Sequence, residues 1–143
     1  MTTQWKSFAT VDPFDGMTAG SPGVLQILAG GEWHDAPVYR EDIADPLNGG
    51  RFLDVPDTED LAPFAAGLES CPKTGLHNPL KRNDRYVQLG RVCAKAAATL
   101  AEEDVERYFT QLIQRVMPKS WQQCLNEVVV TRVFLENFAG DGV

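Results

Sequence analysis

At 143 residues the chain is long enough for one domain, which could bury about 70% of the surface of its unfolded form. Thirteen Lys and Arg against twenty Asp and Glu give a net charge of -7, which argues against nucleic acid and anionic membrane surfaces as partners. Met1 to Phe8 lacks the apolar core of a secretory signal, and no apolar run approaches the roughly 20 residues of a bilayer-spanning helix, so an intracellular, soluble protein is expected.

The first twenty-three residues contain Pro13, Gly16, Gly20, Pro22 and Gly23 without sustained periodicity, so 1–23 reads as an irregular N-terminal arm. Residues 24–56 read as a β-hairpin region. Val24 to Ala29 is a β-rich run, Gly30-Gly31 is a turn pair, and Glu32-Trp33-His34 returns. A second strand pair, Glu41 to Asp45 and Arg51 to Val55, flanks Pro46-Leu47-Asn48-Gly49-Gly50, where Asn-Gly supplies positive φ.

Beyond Pro56 the apolar period changes to about 3.6, and residues 57–143 read as a helical region. Leu61, Phe64, Ala65 and Leu68 share one face of a first helix, with Asp60 placed to cap it and Pro63 in its first turn. Cys71 to Lys81 holds Pro72, Gly75 and Pro79 and reads as a loop. The second helix is capped by Asn83 or Asp84 and presents Tyr86, Leu89, Cys93, Ala96 or Ala97, and Leu100. The third, roughly Asp104 to Met117, presents Val105, Phe109, Leu112, Ile113 and Val116 and stops against Pro118. Ser120 and Gln123 form a capping box for a fourth helix carrying Trp121, Leu125, Val128, Leu135 and Phe138, which Gly140 ends.

Few residues carry chemistry. Cys71, Cys93 and Cys124 are odd in number and never in a C-x-x-C pair, so free structural thiols are expected, with neither a disulfide framework nor a metal site. His34 falls in a hairpin and His77 in a Gly-Leu-His-Asn-Pro loop, with no nucleophile elbow, so a thiol hydrolase using His77 is disfavoured. The glycine pairs lack the spacing of a phosphate cradle. Glu102-Glu103-Asp104 suits the positive end of the third helix. Glu127, between Leu125 and Val128, is a candidate inward carboxylate, with a salt bridge to Arg132 as the structural alternative.

Three phrases carry a resemblance: Cys71-Pro72-Lys73-Thr74-Gly75-Leu76-His77-Asn78-Pro79, Leu112-Ile113-Gln114-Arg115-Val116-Met117-Pro118-Lys119-Ser120, and Thr131-Arg132-Val133-Phe134-Leu135-Glu136-Asn137-Phe138. Weaker echoes lie in Ser7 to Val11, Gly31 to Trp33 and Asp45 to Gly49. Together they resemble the N-terminal part of plant-type pyrroline-5-carboxylate dehydrogenase, a branch of the aldehyde dehydrogenase superfamily.

The resemblance implies a mostly helical α+β segment, N-terminal β-hairpins followed by about four helices, forming one incomplete N-terminal domain of an α/β dehydrogenase. It implies NAD-dependent oxidation of glutamate semialdehyde to glutamate in proline catabolism, in the cytoplasm or the mitochondrial matrix. The family's catalytic and NAD-binding groups match no residue here, so the resemblance implies no catalytic, cofactor-binding or metal residue and no NAD binding by these residues alone. Glu127 matches a position bordering the family's aldehyde channel, where it would orient substrate. The expected partners are the remainder of the dehydrogenase or other copies of the chain, through exposed apolar helix faces. The competing expectation is a non-catalytic helical oligomerisation or protein-interaction module.

Overall fold

Backbone conformation at three glycines sets the strand-rich part of the fold. The computed structural model describes residues 4–9, 11–70 and 84–139, and these fall into two units, Thr10–Pro72 and Met1–Ala9 with Lys73–Val143. The expected loop with Cys71 and His77, the cap at Asn83 and the stop at Gly140 lie outside the described residues.

Within Thr10–Pro72, β1 (Gly23–Val24), β2 (Ile27–Ala29), β3 (Glu32–His34), β4 (Tyr39–Ala44) and β5 (Arg51–Pro56) are followed by helix α1 (Ala62–Glu69). The expected first hairpin forms as β2–β3, antiparallel with Leu28 opposite Trp33, but the run Val24 to Ala29 is not one strand: Val24 belongs to β1 and the hairpin strand begins at Ile27. Gly30 and Gly31 turn it with φ of 62° and 87°, values that cost an L side chain steric strain and cost glycine none.

The second hairpin, β4–β5, pairs Tyr39 with Pro56 and Ala44 with Arg51. Its loop is organised by the buried Asp45. The Asp45 carboxylate accepts hydrogen bonds from Leu47 N at 2.9 Å and Asn48 Nδ2 at 3.0 Å, while its backbone N–H donates to Gly50 O at 2.7 Å. Asn48 itself keeps a negative φ, and Gly49 alone takes the positive value, 74°. Every polar atom brought in by Asp45 finds a partner, which a buried carboxylate requires.

A contact unforeseen in the sequence completes this sheet: β1 runs parallel to β5, giving the order β1-β5-β4. Phe52 and Asp54 are the buried positions of β5, and Pro13 and Met17 are also buried. Asp54 is held by Arg51 through two hydrogen bonds of 2.7 and 2.5 Å.

Helix α1 departs from expectation in two respects. Asp60 does not occupy the N-cap, which is Leu61, although its carboxylate accepts from Ala62 N at 2.9 Å. The predicted apolar face also stays largely uncovered, and no residue of α1 is buried. Period 3.6 marks a face able to bury itself, and burial still requires a neighbour.

The other unit contains a 3-10 turn (Gln4–Ser7) and helices α2 (Asp84–Leu100), α3 (Glu103–Val116) and α4 (Trp121–Phe138). Helix α4 packs against both α2 and α3, and the 3-10 turn packs on α3. The core joins Trp5, Val105 and Tyr108, with Ala9, Leu100, Phe109 and Leu112 around them. On α2 the inward residues are Gly90, Cys93, Ala97 and Leu100, whereas Tyr86 and Leu89 remain half exposed. Gly90 explains that rotation of the face. A Cβ there would lie 3.2 Å from the Ala139 carbonyl oxygen, so glycine lets α2 approach the end of α4.

The α3–α4 connection follows local chemistry. Pro118 ends α3, and the Ser120–Gln123 capping box starts α4, with Ser120 N donating to Gln123 Oε1 at 3.0 Å. Glu103, Asp104 and Glu106 occupy the first turn of α3, as the helix dipole favours. The observed architecture is thus α+β, with β-hairpins preceding four helices, as in the N-terminal region of the aldehyde dehydrogenase fold. No described helix is long and apolar enough to cross a membrane.

Candidate functional site

Glu127 stands on the second turn of α4, half exposed, beside a shallow surface depression lined by Asn126, Glu127, Val130 and Thr131. Its carboxylate is ion-paired with Lys119 Nζ. Lys119 belongs to the short link between α3 and α4. That link is pinned by Lys119 N donating to Met117 O at 2.8 Å, with Gln114 Nε2 donating to Lys119 O at 3.3 Å. Thr131 Oγ1 closes the other side, donating to the Glu127 carbonyl at 2.8 Å.

The salt bridge anticipated between Glu127 and Arg132 does not form. Five residues along a helix turn through about 500°, which sets the two side chains on different faces. Arg132 instead lies 3.6 Å from Glu106 on α3 and 3.6 Å from Glu136 one turn along α4. It ties the two helices together, and Glu127 is left to the outer side with Lys119.

The thiols are placed for packing. Cys124 is fully buried and Cys93 half-buried, and both are free. A thiolate nucleophile needs access and a base, and Cys124 has no exposed surface. The His34 ring lies with Nε2 3.2 Å from the Ala29 carbonyl across its own hairpin. Among the described residues no cluster of three His, Cys, Asp or Glu could hold a metal.

A dinucleotide needs backbone N–H groups at a glycine-rich turn into a helix, with positive potential for its pyrophosphate. The described residues do not fit that need. The positive-φ glycines lie in hairpin turns, the first turn of α3 is acidic, and at the start of α4 the Gln123 N–H is already taken by the Ser120 hydroxyl. Sequence reasoning missed Lys119 as the partner of Glu127, although Pro118 two residues before the capping serine signals a tight link that brings it near.

No protein-family model matches the chain. It is 44% identical over 138 residues, 95% of its length, to "Delta-1-pyrroline-5-carboxylate dehydrogenase 12A1, mitochondrial" of Arabidopsis thaliana. It is 41% identical over 138 residues to "Probable aldehyde dehydrogenase" of Linum usitatissimum. The chain spans 24% and 25% of the length of these curated relatives. Identity at this level along almost the whole chain, together with the hairpin-and-helix order, shows that the chain is homologous to the N-terminal quarter of the plant pyrroline-5-carboxylate dehydrogenase and aldehyde dehydrogenase family.

Proposed function

We propose that these residues serve as the N-terminal portion of an NAD-dependent dehydrogenase that oxidises glutamate semialdehyde, the open form of pyrroline-5-carboxylate, to glutamate, and that alone they are inactive. The observation carrying this reading is the 44% identity to a protein named as a pyrroline-5-carboxylate dehydrogenase. The inactivity rests on the buried Cys124 and on the poor fit of the described residues to a dinucleotide. The partner in this reading is the rest of the dehydrogenase. The relative's name adds the mitochondrion as the compartment to test first.

Glu127 takes a positioning part in the proposal. A half-exposed carboxylate steadied by Lys119 can orient a polar substrate or gate its approach without taking part in bond making. A second reading, a helical oligomerisation module, is favoured by one observation: Val130, Phe134 and Phe138 recur along one side of α4 and are each more than half exposed.

NAD reduction with pyrroline-5-carboxylate, measured on the 143-residue chain and on a longer product carrying the same sequence followed by nucleotide-binding and cysteine segments, separates these readings. Activity confined to the longer product is the expected result. Activity in the short chain overturns the assignment, and a longer product that is inactive and assembles through α4 supports the module.

A further inference from the structure

Outside the α4 site, the unit Thr10–Pro72 contains a larger cavity of about 550 Å³, within the range of ligand pockets at about 300–1,000 Å³. It lies between the β2–β3 hairpin and α1. Its apolar lining comes from Ile27, Ala29, Pro37, Val38, Pro63 and Phe64. Its polar lining comprises His34, Thr58 and three carboxylates within four successive residues, Asp57, Glu59 and Asp60, with no Lys or Arg in the wall. Among the described residues no salt bridge engages any of the three carboxylates.

From this pairing of an apolar floor and an acidic rim, we infer that the groove docks an extended peptide segment of a partner protein in which apolar side chains alternate with lysine or arginine. Charge complementarity selects the basic residues. Alternation is required because an extended chain sends successive side chains to opposite sides, so one set can enter the groove while the other meets the rim. A single metal ion is a poorer fit, because among the described residues no three His, Cys, Asp or Glu are placed to hold one. The groove must stay open in the longer product of the dehydrogenase reading, so failure of that product to bind such a peptide overturns the proposal, because its own remaining residues would then be the occupant.

The test uses fluorescence anisotropy of the 143-residue chain with a labelled decapeptide of alternating leucine and lysine. The Leu/Glu and Ser/Lys decapeptides serve as comparisons. The expected result is saturable binding of the Leu/Lys peptide alone. Glu59→Gln with Asp60→Asn, which keeps the acceptor for Ala62 N, should weaken it about fivefold, as the loss of two rim charges implies. Val38→Ser should weaken it as well, with helical circular dichroism unchanged in both variants. Equal binding of the Leu/Glu peptide, binding of Ser/Lys as tight as Leu/Lys, or affinity unaffected by either variant overturns the proposal. Self-association of the chain that the double substitution abolishes also overturns it, because a second copy would then be the occupant.

Discussion

Trp5 stacks on Tyr108, with ring centroids 5.1 Å apart and planes inclined by 19°. Phe8 meets the same tyrosine edge-on at 5.7 Å and stacks on Phe109 at 5.7 Å. Beside them, Gln4 N donates to the Asp104 carboxylate at 2.5 Å. The 3-10 turn is therefore held to α3 by aromatic burial and by one charge-assisted bond at the helix start. Trp5→Ala should lower stability by up to about 3 kcal/mol, bounded by the docking free energy of the arm. Urea denaturation followed by helical circular dichroism measures it, and a midpoint unchanged from wild type would show that this stacking contributes nothing.

Ser120→Ala removes the hydroxyl half of the capping box and should cost about 1 kcal/mol. Ser120→Asp supplies another acceptor for Gln123 N and should recover most of that loss. The pair of variants separates capping from a general effect of altering the link.

Gly90 offers a graded test of helix approach. In Gly90→Ala, the helix-propensity gain of about 1 kcal/mol offsets the crowding against Ala139 O, so thermal stability should change little. Gly90→Leu cannot be accommodated at that approach and should lose about 1–3 kcal/mol. Equal stability of the leucine variant would mean that α2 and α4 do not meet there.

Arg40 donates to the Asp42 carboxylate at 2.9 Å and holds that carboxyl below the usual carboxylate range. Because the folded value lies below the unfolded one, the contribution is complete at neutral pH and is lost as pH falls through the lowered value. Both groups are exposed, so salt should weaken the effect. An NMR titration of Asp42 should show its pKa rising toward the ordinary aspartate value in Arg40→Leu. An Asp42 titration identical in the two proteins would contradict the pairing.

Features decided by neighbouring residues were legible in the chain. Gly30-Gly31 announced a turn because few other residues tolerate its φ, and Ser120 with Gln123 announced a helix start because each satisfies the other's backbone N–H. Features decided across sequence distance were not. The two residues of β1 are too few to carry a period, and their pairing with β5 depends on Gly23 lying against Leu53. The exposed α1 face looked like core because amphipathicity records a capacity to be buried. At the candidate site, the five-residue spacing already argued against Arg132 as partner of Glu127, whereas Lys119 reaches that carboxylate from the α3–α4 link, a contact that spacing within one helix does not show.

The Gln4–Asp104 bond spans 100 residues, and the whole Thr10–Pro72 unit is threaded between the two parts it joins. Closing a flexible loop of that length costs about 4 kcal/mol in chain entropy before any constant is added. During synthesis from the ribosome, the inserted unit emerges entire while the arm that precedes it still has no α3 to meet. The arm is accordingly among the last parts of this unit to settle, and Trp5 and Phe8 have no aromatic partner until Tyr108 and Phe109 have left the exit tunnel.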